Sequence, residues 1–193
     1  TEDDSIKEYC SQRNINCIVT QESKSAIDRI KHFSDLVKAD YYINVQGDEP
    51  IININDIKTI MEYGQEFPER VVFGKCAANE TEFSDISKAK VVCDRNNKLL
   101  YSSRAGIPIT PNGKFKGAER AIWIYGFPKY SLDKYFDAYE QTRLDKIEDN
   151  EIIRFLEIGI PVYCVDVIGD SWAVDESKDI PIVEDLLRKS GDF

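Results

Sequence analysis

The stretch YYINVQGDEPIIN occupies residues 41–53. Its first half is apolar and β-prone. It stops at Gln46-Gly47-Asp48-Glu49-Pro50, and apolar residues then resume. Residues 41–46 read as a strand apolar on both faces, as a central parallel strand should be. Gly47 lets the chain turn tightly or lets a ligand approach, and Pro50 forces Glu49 out of helical geometry. Two readings stay open for this strand end. It is a polar turn with solvated acids, or Asp48 and Glu49 offer hard oxygen donors to a metal that also holds substrate phosphates. In an open α/β sheet, ligands bind at the carboxyl ends of strands, and this turn is such an end.

Outward from this strand, helical and strand patterns alternate. Residues 1–13 read as a helix capped by Thr1 or Asp3, and NCIVT (16–20) as a short strand. Residues 25–40 repeat Ile27, Ile30, Phe33 and Val37 at helical spacing behind a Ser25 cap. Residues 54–67 read as a helix and 70–77 as a strand. The pattern then changes to a hairpin over 89–104, a Pro- and Gly-rich loop over 107–120 and a strand over 121–127. Helices are expected over 129–141, 146–159 and 177–189, with a strand over 162–168. This order predicts a single domain over residues 1–193 with a three-layer α/β/α architecture. Its sheet is expected to be mainly parallel, with a small β-rich excursion over 89–127.

Bulk properties narrow the function. The 193 residues are 42% hydrophobic and 31% charged, an ordinary globular balance. No apolar run approaches the length of a membrane span. A net charge of −10 disfavours broad binding to nucleic acid or anionic membranes. It leaves room for one small anionic ligand held by a few basic residues and a divalent cation. The five cysteines show no CxxC pair and read as reduced core thiols of a cytoplasmic protein. With one histidine, His32, neither zinc nor a histidine-dependent nucleophile is expected.

Further candidates follow the strand ends. Asp175 stands after a short apolar run and before a helix, as an N-cap or as a second carboxylate for the cation of Asp48. Arg104, in LLYSSRAGIP, is a surface arginine or a two-pronged partner for a substrate carboxylate. Glu148, Glu151 and Arg154 recur every three residues, which reads as an exposed ion-pair row. Tyr125 is a core residue unless its hydroxyl reaches the site.

In this order the segments INVQGDEPII, AKVV, LLYSSRAGIP, IYGF, the Glu148–Glu151–Arg154 row and Val174-Asp175 resemble the 3-deoxy-manno-octulosonate cytidylyltransferase family. These are the CMP-Kdo synthetases of lipopolysaccharide and capsule synthesis, with a nucleotidyltransferase fold. The resemblance covers essentially the whole chain. It implies that CTP and an acidic sugar give a CMP-sugar and pyrophosphate, without a covalent enzyme intermediate. By the same resemblance, Asp48 and Asp175 hold Mg2+, and these two with Arg104 form the catalytic set. Gln46 contacts the sugar, Arg104 and Tyr125 bind the sugar acid, and Glu151 bonds its hydroxyls. Asp28-Arg29 matches an acid–Arg pair near the nucleotide, which makes Arg29 a substrate-binding candidate. A homodimer through residues 89–127 is implied as well.

Four departures accompany the resemblance. The family's opening strand and its Arg-, Ser-, Gly- and Lys-rich phosphate loop have no counterpart, so an N-terminally truncated chain of weak or no activity is expected. The Ser-Gly-Thr of the family reads Ser25-Ala26-Ile27. A histidine is replaced by Ala121 and a glutamine by Ile152, and both belong to the family's sugar pocket. Lost polar partners there would penalise a polyhydroxylated sugar, so an altered acceptor is expected. The competing reading is a degenerate, non-catalytic homologue that binds a nucleotide or serves as a dimeric subunit.

Overall fold

The computed structural model describes residues 1–138, 142–174 and 176–190. Helix α1 (Asp4–Gln12) starts at Asp3, whose Oδ1 accepts from the Ser5 and Ile6 N–H groups at 2.7 and 3.3 Å. Helix α2 (Ala26–Leu36) starts at Ser25, whose Oγ accepts from the Asp28 N–H at 3.1 Å. Both caps fill donors that a helix start leaves unpaired. Strand β1 (Tyr41–Val45) leads through the acidic turn to helix α3 (Ile54–Glu66) and strand β2 (Val71–Ala78). Gly64 sits inside α3 because the Tyr41 ring passes beneath it, where a Cβ would come within 2.5 Å of Tyr41 Cε1.

Helix α4 (Glu80–Ser84) precedes the hairpin of β3 (Lys90–Cys93) and β4 (Leu99–Ser103). Strand β5 (Ala118–Pro128) follows, then α5 (Lys129–Asp137), α6 (Arg143–Glu148), α7 (Ile152–Glu157), β6 (Val162–Asp166) and α8 (Ile180–Ser190). Two cores sandwich the sheet. On one face Ile27 and Ile30 of α2, Leu132 and Tyr135 of α5, and Ile152, Ile153 and Phe155 of α7 pack on Tyr42, Phe73, Tyr125 and Phe127. On the other face Ile60 of α3 packs on Val72, Ile122 and Ile124. Each fully buried aliphatic or aromatic side chain contributes about 1.5–3 kcal/mol, so these layers dominate the stability. The three-layer α/β/α expectation is met.

Its pairing corrects the expectation of a mainly parallel sheet. The six strands form one mixed sheet in the order β4-β3-β5-β2-β6, with β1 also on β5. Strands β1, β2, β3 and β6 share one direction, yet β2 with β6 is the one parallel ladder among the described strands. The cause is β5, which runs the opposite way and inserts between β1 and β2.

Two local expectations also change. NCIVT forms no strand. Its backbone instead meets Thr1, which donates to Ile18 O at 3.0 Å and accepts from Thr20 N at 2.8 Å. The expected helix over 146–159 is two short helices, α6 and α7. Asp149 breaks it by taking a left-handed conformation at φ 47°. All five cysteines are free thiols, but only Cys164 is buried, so the other four are half-buried and not the core residues expected. Among the described residues no helix is long and apolar enough to cross a membrane.

Candidate active site

The inserted strand creates the site. Strand β5 gives one edge to β2 and divides the other between β1 and β3. The β1 ladder ends at the Val45–Ile124 pair and the β3 ladder at Lys90–Arg120. No described ladder reaches Ile122 and Trp123 from that edge, and a cleft of about 370 Å³ opens there. Gln46, Asp48, Arg104, Tyr125 and Glu151 all line it, so five of the sequence-derived candidates meet at one place.

The acidic turn is held by its backbone, with Glu49 N to Gln46 O at 3.4 Å and Ile52 N to Glu49 O at 3.3 Å. Asp48 is exposed, and its carboxylate takes no hydrogen bond among the described residues. The Asp48 carbonyl accepts from Val174 N at 2.7 Å, which docks the 168–174 segment on this turn. Asp56 fixes the start of that segment through Ile168 N at 2.8 Å and Gly169 N at 2.9 Å. Asp175 lies outside the described residues. An open carboxylate facing a cleft fits magnesium, which takes one or two protein carboxylates together with phosphate oxygens.

Arg104 is anchored to the α6–α7 turn. Its Nε donates to Glu148 O at 2.8 Å and its Nη2 to Asp149 O at 2.9 Å. Glu148 secures the end of β4 by accepting from Ser103 Oγ at 2.7 Å, the Arg104 N–H at 2.9 Å and Tyr101 Oη at 3.2 Å. Burial opposes the charge on Glu148, but these hydrogen bonds and Arg104 outweigh it and hold its carboxyl below the usual value of 4.5. The stability it contributes is therefore fully present above pH 4.5 and lost as pH falls through the lower folded-state value. The gap in urea midpoint between wild type and Glu148→Gln should be widest near neutral pH and narrow below pH 4. A gap independent of pH would refute this assignment.

Glu151 does not join an exposed ion-pair row. Its two oxygens accept from the Ala26 and Ile27 N–H groups, each at 3.2 Å, across the start of α2. Burial raises its carboxyl above the ordinary value, partly offset by these two N–H groups. Arg154 turns instead to Asp145, so the three-residue spacing leads to three different partners. Tyr125 is buried, and burial, then the Glu151, Tyr135 and Glu49 groups, push its hydroxyl well up. It remains a phenol at neutral pH.

Arg29 stands apart from the cleft lining. Its Nη2 pairs with Glu2 Oε1 at 2.9 Å. Ala121 lines the cleft, whereas Ile152 is fully buried in the main core and is not part of the cleft lining. The cleft also holds Glu49, the second oxygen donor read from the acidic turn, and Lys88, Arg120 and Trp123, which sequence reasoning did not place there. Trp123 stacks on Tyr125 with ring centres 5.9 Å apart. Its position two residues before Tyr125 on the same strand face was the available signal. Lys90 is fully buried, and its ammonium binds the carbonyls of Asp85, Lys88 and Arg104 at 2.5–2.7 Å. It thereby ties the 85–88 wall of the cleft to the end of β4.

A family model described as cytidylyltransferase matches residues 1–167. A 3-deoxy-manno-octulosonate cytidylyltransferase from Koribacter versatilis is 29% identical over 190 residues, covering 97% of this chain and 72% of that protein. A 3-deoxy-manno-octulosonate cytidylyltransferase 2 from Hydrogenovibrio crunogenus is 32% identical over 198 residues, covering 97% of this chain and 79% of that protein. A solved CMP:2-keto-3-deoxy-manno-octonic acid synthetase complexed with CTP superposes with a TM-score of 0.91 at 26% identity. That match covers 98% of this chain and 79% of the other.

Proposed function

Because the chain belongs to the cytidylyltransferase family, we propose that it transfers CMP from CTP to an acidic, Kdo-like sugar and releases pyrophosphate. The observation that carries this reading is the convergence of Gln46, Asp48, Arg104, Tyr125 and Glu151 on one cleft from separate segments of the chain. The sugar's anomeric hydroxyl would attack the α-phosphorus. A phosphorus–oxygen bond forms there as the bond to the β-phosphate breaks, and the hydroxyl proton leaves to solvent.

Asp48, with Asp175, would hold Mg2+, which when bound neutralises the charge of the reacting phosphates. Arg104 is already fixed by the α6–α7 turn, so little freedom is lost when it meets the acceptor's carboxylate. Tyr125 keeps its proton and can donate to the sugar, and Gln46 offers an amide beside it. Glu151 acts on the substrate side mainly by holding Ala26 at the cleft wall. In this role the loss of a flexible glycine at position 26 matters less than it does for direct contact.

We further propose one domain over residues 1–193 that pairs as a homodimer through 89–127, where Leu100 and Ile109 are more than half exposed. One preparation tests both readings. Pyrophosphate release from CTP, Mg2+ and a panel of acidic sugars should be saturable in both substrates. Sedimentation velocity should give twice the chain mass. CTP binding without turnover on any acceptor would favour a non-catalytic subunit, and a single-chain mass would remove the dimer.

A further inference from the structure

Glu49 is the residue of the acidic turn that metal binding by Asp48 leaves unexplained. It is 8% exposed and lines the cleft. Its Oε2 is sealed from solvent and meets no hydrogen-bond donor among the described residues, and no described cation pairs with the carboxylate. Burying a carboxylate with neither kind of partner is among the costliest placements a side chain can take. The fold does not need it, because the turn is closed by the backbone bonds of residues 46–52.

The surroundings say what is missing. Of the other carboxylates that line the cleft, Glu151 already has both oxygens on backbone N–H groups, and Asp149 pairs with Arg104. Arg104 and Arg120 are engaged by carbonyls, and Arg120 also by Glu82. With Asp48 assigned to the cation, Glu49 is thus the lining carboxylate for which neither a described partner nor the metal accounts. The phosphates of CTP offer no donor and would be repelled by the carboxylate, whereas the hydroxyls of its ribose, its cytosine amine and the hydroxyls of the acceptor are donors, and the neighbour Tyr125 selects the acceptor among these. The charge of Glu49 also reaches Tyr125 on the cleft floor, and Tyr125 belongs to the acceptor side of the proposed reaction.

We propose that Glu49 is a recognition residue for the acceptor, its carboxylate taking a hydrogen bond from a hydroxyl of the sugar acid at the edge it presents to the cleft. This rests on the reading that the chain activates a sugar acid, and it adds a specificity contact to that reaction. The carboxylate persists at a stability cost because the bound acceptor satisfies it.

The test compares wild type, Glu49→Gln and Glu49→Met for Kdo binding by calorimetry, for both KM values and for Tm. Glu49→Met should weaken Kdo by about 10- to 100-fold, as expected for a lost hydrogen bond to a charged group. Glu49→Gln should fall between the two. The KM for CTP should stay within about twofold, and both variants should melt at or above wild type, because an unpartnered charge has been removed. A merely structural Glu49 would shift Tm downward and affect both substrates alike, which would overturn the proposal. Unchanged Kdo affinity in a folded variant, or a rise in KM for CTP alone, would overturn it too. If wild type binds Kdo but releases no pyrophosphate, the transfer reading fails while the binding ratios still decide the role of Glu49. If wild type does not bind Kdo with or without CTP and Mg2+, both fail.

Discussion

Asp48→Ala should lower kcat by about 10³-fold while leaving the melting temperature nearly unchanged. The two halves of this result have separate causes. The Asp48 side chain is exposed and takes no hydrogen bond among the described residues, so its removal breaks nothing that holds the fold. Its backbone carries the structural load through the Val174 N–H at 2.7 Å, and alanine keeps that bond. The carboxylate faces the cleft that gathers Gln46, Arg104, Tyr125 and Glu151. In the proposed reaction it anchors the cation that neutralises the reacting phosphates. A contribution of several kcal/mol to the transition state corresponds to about three orders of magnitude in rate. Steady-state pyrophosphate release over a magnesium titration measures the effect, and part of the loss should return at high Mg2+. A variant within tenfold of wild type at every magnesium concentration would remove Asp48 from the metal site.

How far the sequence spoke depends on whether a feature is local. Residues 41–50 were legible as a strand and turn, because an apolar run, Gly47 and Pro50 leave local marks, but the central parallel place expected for the strand was not, since among the described strands β1 pairs with β5 alone and antiparallel. The Ser25 cap was legible for the same reason, a hydroxyl placed before a periodic run. The direction of β5 was not, because the composition of IWIYGF is the same whichever way the strand runs. The break between α6 and α7 was hidden because apolar spacing continues through Asp149, whose left-handed φ carries no periodic signature. NCIVT has strand composition but lacks a ladder, since pairing depends on a neighbour that composition cannot supply.

The site divides along the same line. Asp48 and Arg104 stood out by motif and lie where motif reasoning put them, at the cleft. Arg29 was chosen by resemblance alone, and its ion pair with Glu2 joins segments 27 residues apart. Lys75 and Lys90 lie within strands β2 and β3. Both are buried, because distant groups come to meet them: Glu119 and Asp166 for Lys75, and carbonyls from two loops for Lys90. Such burial is a property of the assembled sheet and leaves no trace in one segment.

The largest loss of stability should come from Asp145→Ala. Asp145 and Arg154 form an ion pair with side chains 1% and 5% exposed. The Arg154 Nε and Nη2 both reach Asp145 Oδ2, at 2.9 and 2.8 Å, and the guanidinium lies 4.1 Å over the Tyr135 ring. Deleting the carboxylate leaves a guanidinium buried against an aromatic ring with no counter-charge, a loss of about 3–5 kcal/mol. For a chain of this size that corresponds to a fall in Tm of roughly 6–20 °C. The pair also clamps α6 to α7, and α7 starts directly after Glu151. The same variant should therefore loosen the grip of Glu151 on Ala26 and Ile27 and lower turnover beyond what partial unfolding explains. The double substitution Asp145→Leu with Arg154→Met separates charge from packing. It removes both ions together and should recover most of the lost stability, because an apolar pair of similar volume avoids the desolvation cost. Urea denaturation of wild type, Asp145→Leu, Arg154→Met and the double variant closes the cycle. A single-variant loss under about 1 kcal/mol, or a double variant as unstable as the sum of the singles, would mean that the pair is not the clamp between these helices.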